Sequence, residues 1–414
     1  MPPAPKASWR WSDGGPPAAK RFRPAQRVPP AEPLRAAQPV PPTQPLRPLP
    51  PPEPLRQAAL LLLGGATAGQ AARAAGYPGT PALERALRRH YGVESAAWRG
   101  WRRSGGYPLA YGGAFHLRET LRYLGRDPAN QAERVQGESY TRYFPPGAAS
   151  GAEISAGAEP VLVTLRLGPR GCVVTAAQPA APQQALALHA QVRRFLGLEQ
   201  PLAAFYRLVG PHPALGGLLP PLRGVRIPQL PSLWEAVCWA VVGQQINLAF
   251  AYRLRNRLIA LGNGVEETPG QLLPFPSPGQ VLRLTEAQLR RQQFSRQKAA
   301  YLLGLAQACA SGALAGIVPG MAPGAAPWEE VEATLLAQKG LGPWSVAYAL
   351  MRGLGHADAL PVGDTGLRTA LQRRFGLSEA PGIAQQRTLM EPFRPFRSLA
   401  TYYLWKSLSS DRVD

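Results

Sequence analysis

Apolar and polar positions change period at well-marked places along the chain. From about Gln183 onward, apolar residues recur at helical spacing almost throughout. The strongest stretch, residues 233–261, puts Leu233, Trp234, Val237, Cys238, Val241 and Val242 on one stripe. It predicts a long buried helix whose second half turns basic through Arg253, Arg255 and Arg257, with Trp234 and Trp239 read as core residues. Residues 294–314 predict another amphipathic helix, with Arg296 and Lys298 near its start. A further helical pattern breaks at Lys339-Gly340-Leu341-Gly342. Pro343 suits the first position of the next helix, where no amide hydrogen is needed. That helix runs to about Leu354, and a short apolar-to-proline turn brings Asp364 to the start of a third.

Upstream the period differs. Over residues 107–180 the segments GESYTRYF, PVLVTLRL and GCVVTAA alternate or bunch β-branched and apolar residues between turns, which predicts an antiparallel sheet with one or two helices. Residues 68–75 and 80–90 predict two short helices joined by Tyr77-Pro78-Gly79, the second carrying Arg85, Arg88 and Arg89. Residues 1–56 contain PPAEPLR, PPTQPLR and PPPEPLR, three near-copies of one unit. Such a stretch buries too little apolar surface to offset chain entropy, and a disordered, partly polyproline-like arm is expected. The fold class is therefore α+β, mostly α. The expected organisation is an arm (1–56), a helix-turn-helix-like segment (57–105), a sheet subdomain (106–185) and a helical domain (186–414).

Composition narrows the partners. The chain of 414 residues has a formal net charge of +21 and a sequence pI near 10.7, which favours a polyanion, nucleic acid first. It has no apolar run of about eighteen residues, so no membrane partner is expected. The first residues lack an apolar signal core, and a cytoplasmic, nucleoid-associated monomer is the expectation. Cys172, Cys238 and Cys309 are far apart, which disfavours disulfide frameworks, zinc ribbons and four-cysteine iron–sulfur clusters.

The hairpin Gly340-Leu341-Gly342 would offer backbone N–H groups and the positive end of a helix dipole to an anion such as a DNA phosphate. Asp364 follows 22 residues beyond Gly342. Taken alone, an Asp opening a helix reads as an N-cap and a Gly-x-Gly between helices as a tight connection.

The order helix, Gly-x-Gly hairpin, Trp-bearing helix and acid resembles the helix-hairpin-helix DNA glycosylase superfamily, and within it the 3-methyladenine DNA glycosylase branch. The likeness spans roughly residues 107–410 in blocks: VRIPQLPSLWEAVCWAVVGQQIN, FSRQKAAYLLGLA, KGLGPWSVAYALMRG, LPVGDTGLR and FRPFRSLATYYLW. The resemblance implies a mixed sheet–helix subdomain ahead of two helical subdomains flanking a cleft. It implies that Asp364 is the catalytic carboxylate, that Trp344, Tyr348, Trp405 and Tyr123 form the base pocket, and that Gly340, Leu341, Gly342 and Arg368 contact double-stranded DNA. Bifunctional relatives carry a Schiff-base lysine two residues after the second hairpin glycine. Trp344 stands there, which implies a monofunctional hydrolase without lyase activity.

Two departures are visible. The wedge position, apolar in familiar members, is Gln245, followed by Ile246, and Gly363 precedes Asp364 where some relatives carry a second acid. No cofactor is expected, although relatives hold a monovalent cation on hairpin backbone carbonyls. The segment 57–105 resembles the last helix-turn-helix of AraC-type regulators, which leaves open DNA binding or mere packing; no methyl-accepting cysteine cluster accompanies it. Alternatives are a glycosylase for hypoxanthine or oxidised bases, and a non-catalytic DNA-binding regulator.

Overall fold

A computed structural model describes residues 51–146, 159–176, 181–314, 317 and 328–410. The first two proline-rich repeats lie outside the described residues. The third runs into a helix. Helix α1 spans Glu53–Leu63, so the expected arm ends before residue 56. Leu55, Ala58, Ala59 and Leu62 recur at helical spacing and are fully buried, and Pro54 sits in the first turn, where it costs no hydrogen bond.

Helices α2 (Ala68–Ala74), α3 (Thr80–His90) and α4 (Ser95–Ser104) follow. Thr67 and Gln70 form a reciprocal capping box at the start of α2, and Gly76 turns the chain with φ +72°. Next come β1 (Gly106–Ala110), α5 (Leu117–Leu124), β2 (Glu133–Gln136), β3 (Ser139–Phe144), β4 (Val161–Leu167) and β5 (Gly171–Ala176). The five strands are antiparallel in the order β1-β5-β4-β3-β2. Along β3 and β5 buried residues alternate with more exposed ones, as a sheet with one covered face requires. Leu83, Leu87, Trp98 and Trp101 of the helices share one apolar cluster with Tyr140, Leu165 and Val174 of the sheet and Phe195 of α6 (Pro182–Phe195). Segment 57–105 and the sheet thus have a common core.

The second cluster is helical: α7 (Leu202–Val209), α8 (Leu233–Gly243), α9 (Leu248–Gly262), α10 (Pro278–Leu282), α11 (Glu286–Arg291), α12 (Arg296–Ala310), α13 (Trp328–Leu336), α14 (Pro343–Ala349), α15 (Thr365–Arg374), α16 (Ile383–Met390) and α17 (Arg397–Ser410). The single helix expected over 233–261 is two. Gln245 adopts φ +55°, and the Asn247 side chain accepts the Phe250 amide at 2.9 Å to start α9 afresh. A polar cap at a helical period is invisible to hydrophobic spacing. Among the described residues no helix is long and apolar enough to cross a membrane.

Four buried charges join the sheet to the helices. Glu235 on α8 accepts from Arg142 of β3 and Arg255 of α9, each at 2.8 Å, and Glu133 of β2 lies 3.5 and 3.9 Å from the same two guanidinium groups. Tyr140 donates to Glu133. Burial alone would raise the Glu133 pKa, but Arg255, Arg142 and Arg126 outweigh it and hold the carboxyl below its ordinary range. Two acids against two arginines leave the junction neutral, which is what makes such depth tolerable. Arg255, counted as part of a basic helix half, is one of these interior groups.

Candidate active site

The hairpin joins α13 to α14. Gly340 has φ +98° and stands directly on the Tyr301 ring of α12, so a side chain there would meet that ring. Gly342 and Pro343 open α14, and Leu341 is buried while Gly342 is exposed. The carbonyl of Gly340 accepts from the Gln244 side-chain amide at 2.8 Å, and the same amide reaches the Ser345 hydroxyl at 3.0 Å. That carbonyl is therefore already engaged by a donor, which limits the hairpin oxygens left to face a cation. Lys298 donates to the Val242 carbonyl at 2.6 Å. Gln244 thus ties the start of the α8–α9 loop to the hairpin, and Lys298 ties the end of α8 to α12. Gln245 at the loop tip is exposed, Ile246 is half-buried, and Leu248 is 58% exposed. Between this loop, Ser295–Tyr301 of α12 and its cap, and the hairpin lies an open groove.

Asp364 ends a tight turn in which Gly363 takes φ +83° and donates its amide to Gln386 at 2.9 Å. A glycine before the acid is thus a backbone requirement. The Asp364 carboxylate receives three donors. Its Oδ1 accepts the Leu367 amide at 2.8 Å, which makes it the N-cap of α15, and the Trp405 indole at 2.8 Å. Its Oδ2 accepts the Trp344 indole at 3.1 Å. A Cβ at Gly366 would stand 3.1 Å from both Asp364 Oδ1 and Trp405, so that glycine lets the indole approach. Sequence reasoning offered cap or site for Asp364; the geometry makes it a half-buried cap whose carboxylate is held by two indoles. Among the described residues no group of three metal-ligating side chains occurs.

Trp344, Tyr348 and Arg352 follow at four-residue steps on α14 and its π-helical continuation Leu350–Leu354. Trp344 stacks on Tyr348 with centroids 5.5 Å apart at 27°. Tyr123 of α5 faces the same side but does not present a free ring. The Arg126 guanidinium lies 3.8 Å from its centroid, Arg352 4.8 Å and Lys406 5.4 Å. Burial would raise the Tyr123 hydroxyl pKa, yet Arg126 and Arg352 outweigh it and lower it. Arg126 also donates to the Tyr252 hydroxyl at 2.9 Å, and Tyr252 stacks on Trp239 at 5.4 Å. Trp239, expected in the core, is half-buried and packs against the core from its edge. Arg368 is exposed on α15. Arg126, Tyr252 and Gln244 escaped sequence reading; Arg352 could have been found at four residues past Tyr348.

Comparison with known proteins settles the family. The profile of the HhH-GPD superfamily base excision DNA repair proteins matches residues 238–395. The DNA-3-methyladenine glycosylase of Bacillus subtilis is 31% identical over 218 residues, 52% of this chain and 71% of that protein. The chain belongs to this superfamily. A probable bifunctional transcriptional activator/DNA repair enzyme AlkA of Mycobacterium tuberculosis is 33% identical over 224 residues, 53% of this chain but 42% of that protein. The 3-methyladenine DNA glycosylase of Archaeoglobus fulgidus has the same fold, with a TM-score of 0.60 at 20% identity over 74% of this chain and 99% of that one. As an HhH-GPD member, the chain has the hairpin at Gly340–Gly342 and Asp364 inside the matched region, whereas Trp405 and Tyr123 lie beyond its ends.

Proposed function

We propose that this protein is a monofunctional DNA glycosylase that hydrolyses the N-glycosidic bond of alkylated purines, of the 3-methyladenine and 7-methylguanine type, in duplex DNA. The observation that carries the reading is Asp364, gripped by two indole N–H groups and one backbone amide. Breaking the bond builds positive charge on the deoxyribose. A carboxylate already oriented by fixed donors stabilises that charge without reorganising, and the lone pair left on Oδ2 can align a water. The base must first leave the duplex, which costs a few kcal/mol and favours damaged pairs. Gln245 and Ile246 stand where the loop would fill the gap, with the hairpin on the backbone beside it. The half-buried Trp344 ring, backed by the buried Tyr348, suits a cationic purine, by about 0.5–2 kcal/mol. An alkylated base is already a good leaving group, so one acid suffices.

Absence of lyase chemistry is supported by the lysines. Lys298 is committed to a backbone carbonyl, Lys406 lies 3.2 Å from Glu119, and Lys339 is exposed at the hairpin. A second reading, neutral lesions such as hypoxanthine, is favoured by Arg126 and Arg352, which place fixed positive charge around Tyr123. The test is mass-spectrometric identification of the bases freed from alkylated and from deaminated duplexes. Release of methylated purines, with intact strands and no release by Asp364→Asn, is expected. Hypoxanthine alone would select the second reading, and no released base at all would sink both.

A further inference from the structure

Helix α3 carries a surface that the cleft chemistry does not use. Its inner residues Leu83 and Leu87 are fully buried, and it packs against α1 and α2. Its outer face is Pro81, Arg85, Arg88 and Arg89, all exposed and spaced four, three and one residues apart. Arg88 pairs with Glu94 at 3.1 Å, both ends well exposed. Among the described residues Arg85 and Arg89 have no salt bridge. The nearest other acid, Glu84, is turned inward and accepts from the Ser95 amide and hydroxyl. His90 at the end of the helix has its pKa lowered by burial first and then by Arg89 and Arg193. Among the described residues the exposed large apolar side chains are Leu248, Val265, Leu336 and Ile383, none of them on α3, so the face is not built for an apolar protein partner.

We propose that the outer face of α3 is a second duplex-DNA contact, separate from the glycosylase cleft, which holds the protein on undamaged DNA. A helix of 11 residues is about 16 Å long, enough to lie across a major groove about 12 Å wide. The short turn after α2 and the burial of Leu83 and Leu87 in the core shared with the sheet hold the helix rigidly, so its arginines meet phosphates without an ordering cost from the backbone. The contact proposed is to phosphates, which every sequence offers alike. It goes beyond the proposed chemistry and does not depend on it.

The experiment compares the full chain with its Arg85→Ser/Arg89→Ser variant, both sites being exposed and outside the core. Affinity for a labelled undamaged duplex is measured by anisotropy across a salt series. The variant should bind about tenfold more weakly, with a log–log salt slope shallower by about two. Base release at saturating damaged duplex should not change. Unchanged affinity and slope would overturn the proposal. So would equal competition by polyglutamate for the wild-type surface, which would make it a general anion face. Failure of the glycosylase reading appears instead as no base release by either protein, and leaves the binding comparison intact.

Discussion

The indole N–H of Trp344 donates to Asp364 Oδ2 at 3.1 Å, although the two residues belong to different helices. With Trp405 on the opposite oxygen at 2.8 Å, the tryptophans orient the acid, and under the proposed function they also offer faces to a base. Their two roles can be separated. Trp405→Phe keeps an aromatic surface and removes the donor. A hydrogen bond to a charged group contributes about 1.5–3 kcal/mol, so single-turnover base release should slow by about tenfold to a hundredfold with little loss of DNA affinity. An equal loss in affinity and none in rate would show that stacking, not the donor, matters.

Asp364 also caps α15. Asn can keep the cap, whereas Ala loses it at about 0.5–2 kcal/mol. Asp364→Asn should therefore melt near wild type and Asp364→Ala lower, with both inactive. Thermal denaturation beside a release assay distinguishes the cap from the chemistry.

Gln244 spans from the α8–α9 loop to Gly340 and Ser345. Gln244→Leu leaves that carbonyl and hydroxyl without a partner and frees the loop from the hairpin. The expected outcome is weaker binding and slower extrusion of the base, read with a fluorescent base analogue, while release of a pre-extruded base is less affected. A variant that extrudes the base at the wild-type rate would show the loop to be positioned by other contacts.

Glu235 holds Arg142 and Arg255 at the junction of sheet and helices. Removing one charge from a buried set leaves another uncompensated, at about 3–5 kcal/mol. Glu235→Gln should lower the unfolding free energy measured in denaturant by that amount, and a loss below about 1 kcal/mol would mean that the arginines find new partners.

Acid should weaken the fold in two steps. His189 is fully buried among Tyr91, Trp98 and Tyr107, and burial, followed by Arg193, holds its pKa well below its ordinary value. The unfolded chain then takes up a proton that the folded chain refuses, so stability falls as pH drops below about 6.5. Glu133 has a lowered folded pKa, and its contribution is present above the unfolded carboxylate value and lost as pH falls further. Urea midpoints measured from neutral pH downward should decline in both windows. In His189→Gln the first decline should shrink, His90 and His212 keeping a smaller part of it, and the second should remain.

Local pattern by itself determined the helices around the hairpin, the strand Val161–Leu167, the short helix Thr80–His90 and the turn before Asp364, because spacing and capping act within a few residues. Charge and the order of motifs were equally legible and pointed to a nucleic-acid enzyme before any contact was known. Only the tertiary structure decided what those residues touch. It broke the expected long helix at Asn247, stacked Trp239 on Tyr252, sank Arg255 into a neutral junction, and covered Tyr123 with cations. It also put the indoles of residues 344 and 405 on one carboxylate. Side chains 20 and 41 positions from Asp364 meet it through helix packing, and hydrophobic periodicity carries no information about which polar atoms that packing will bring together.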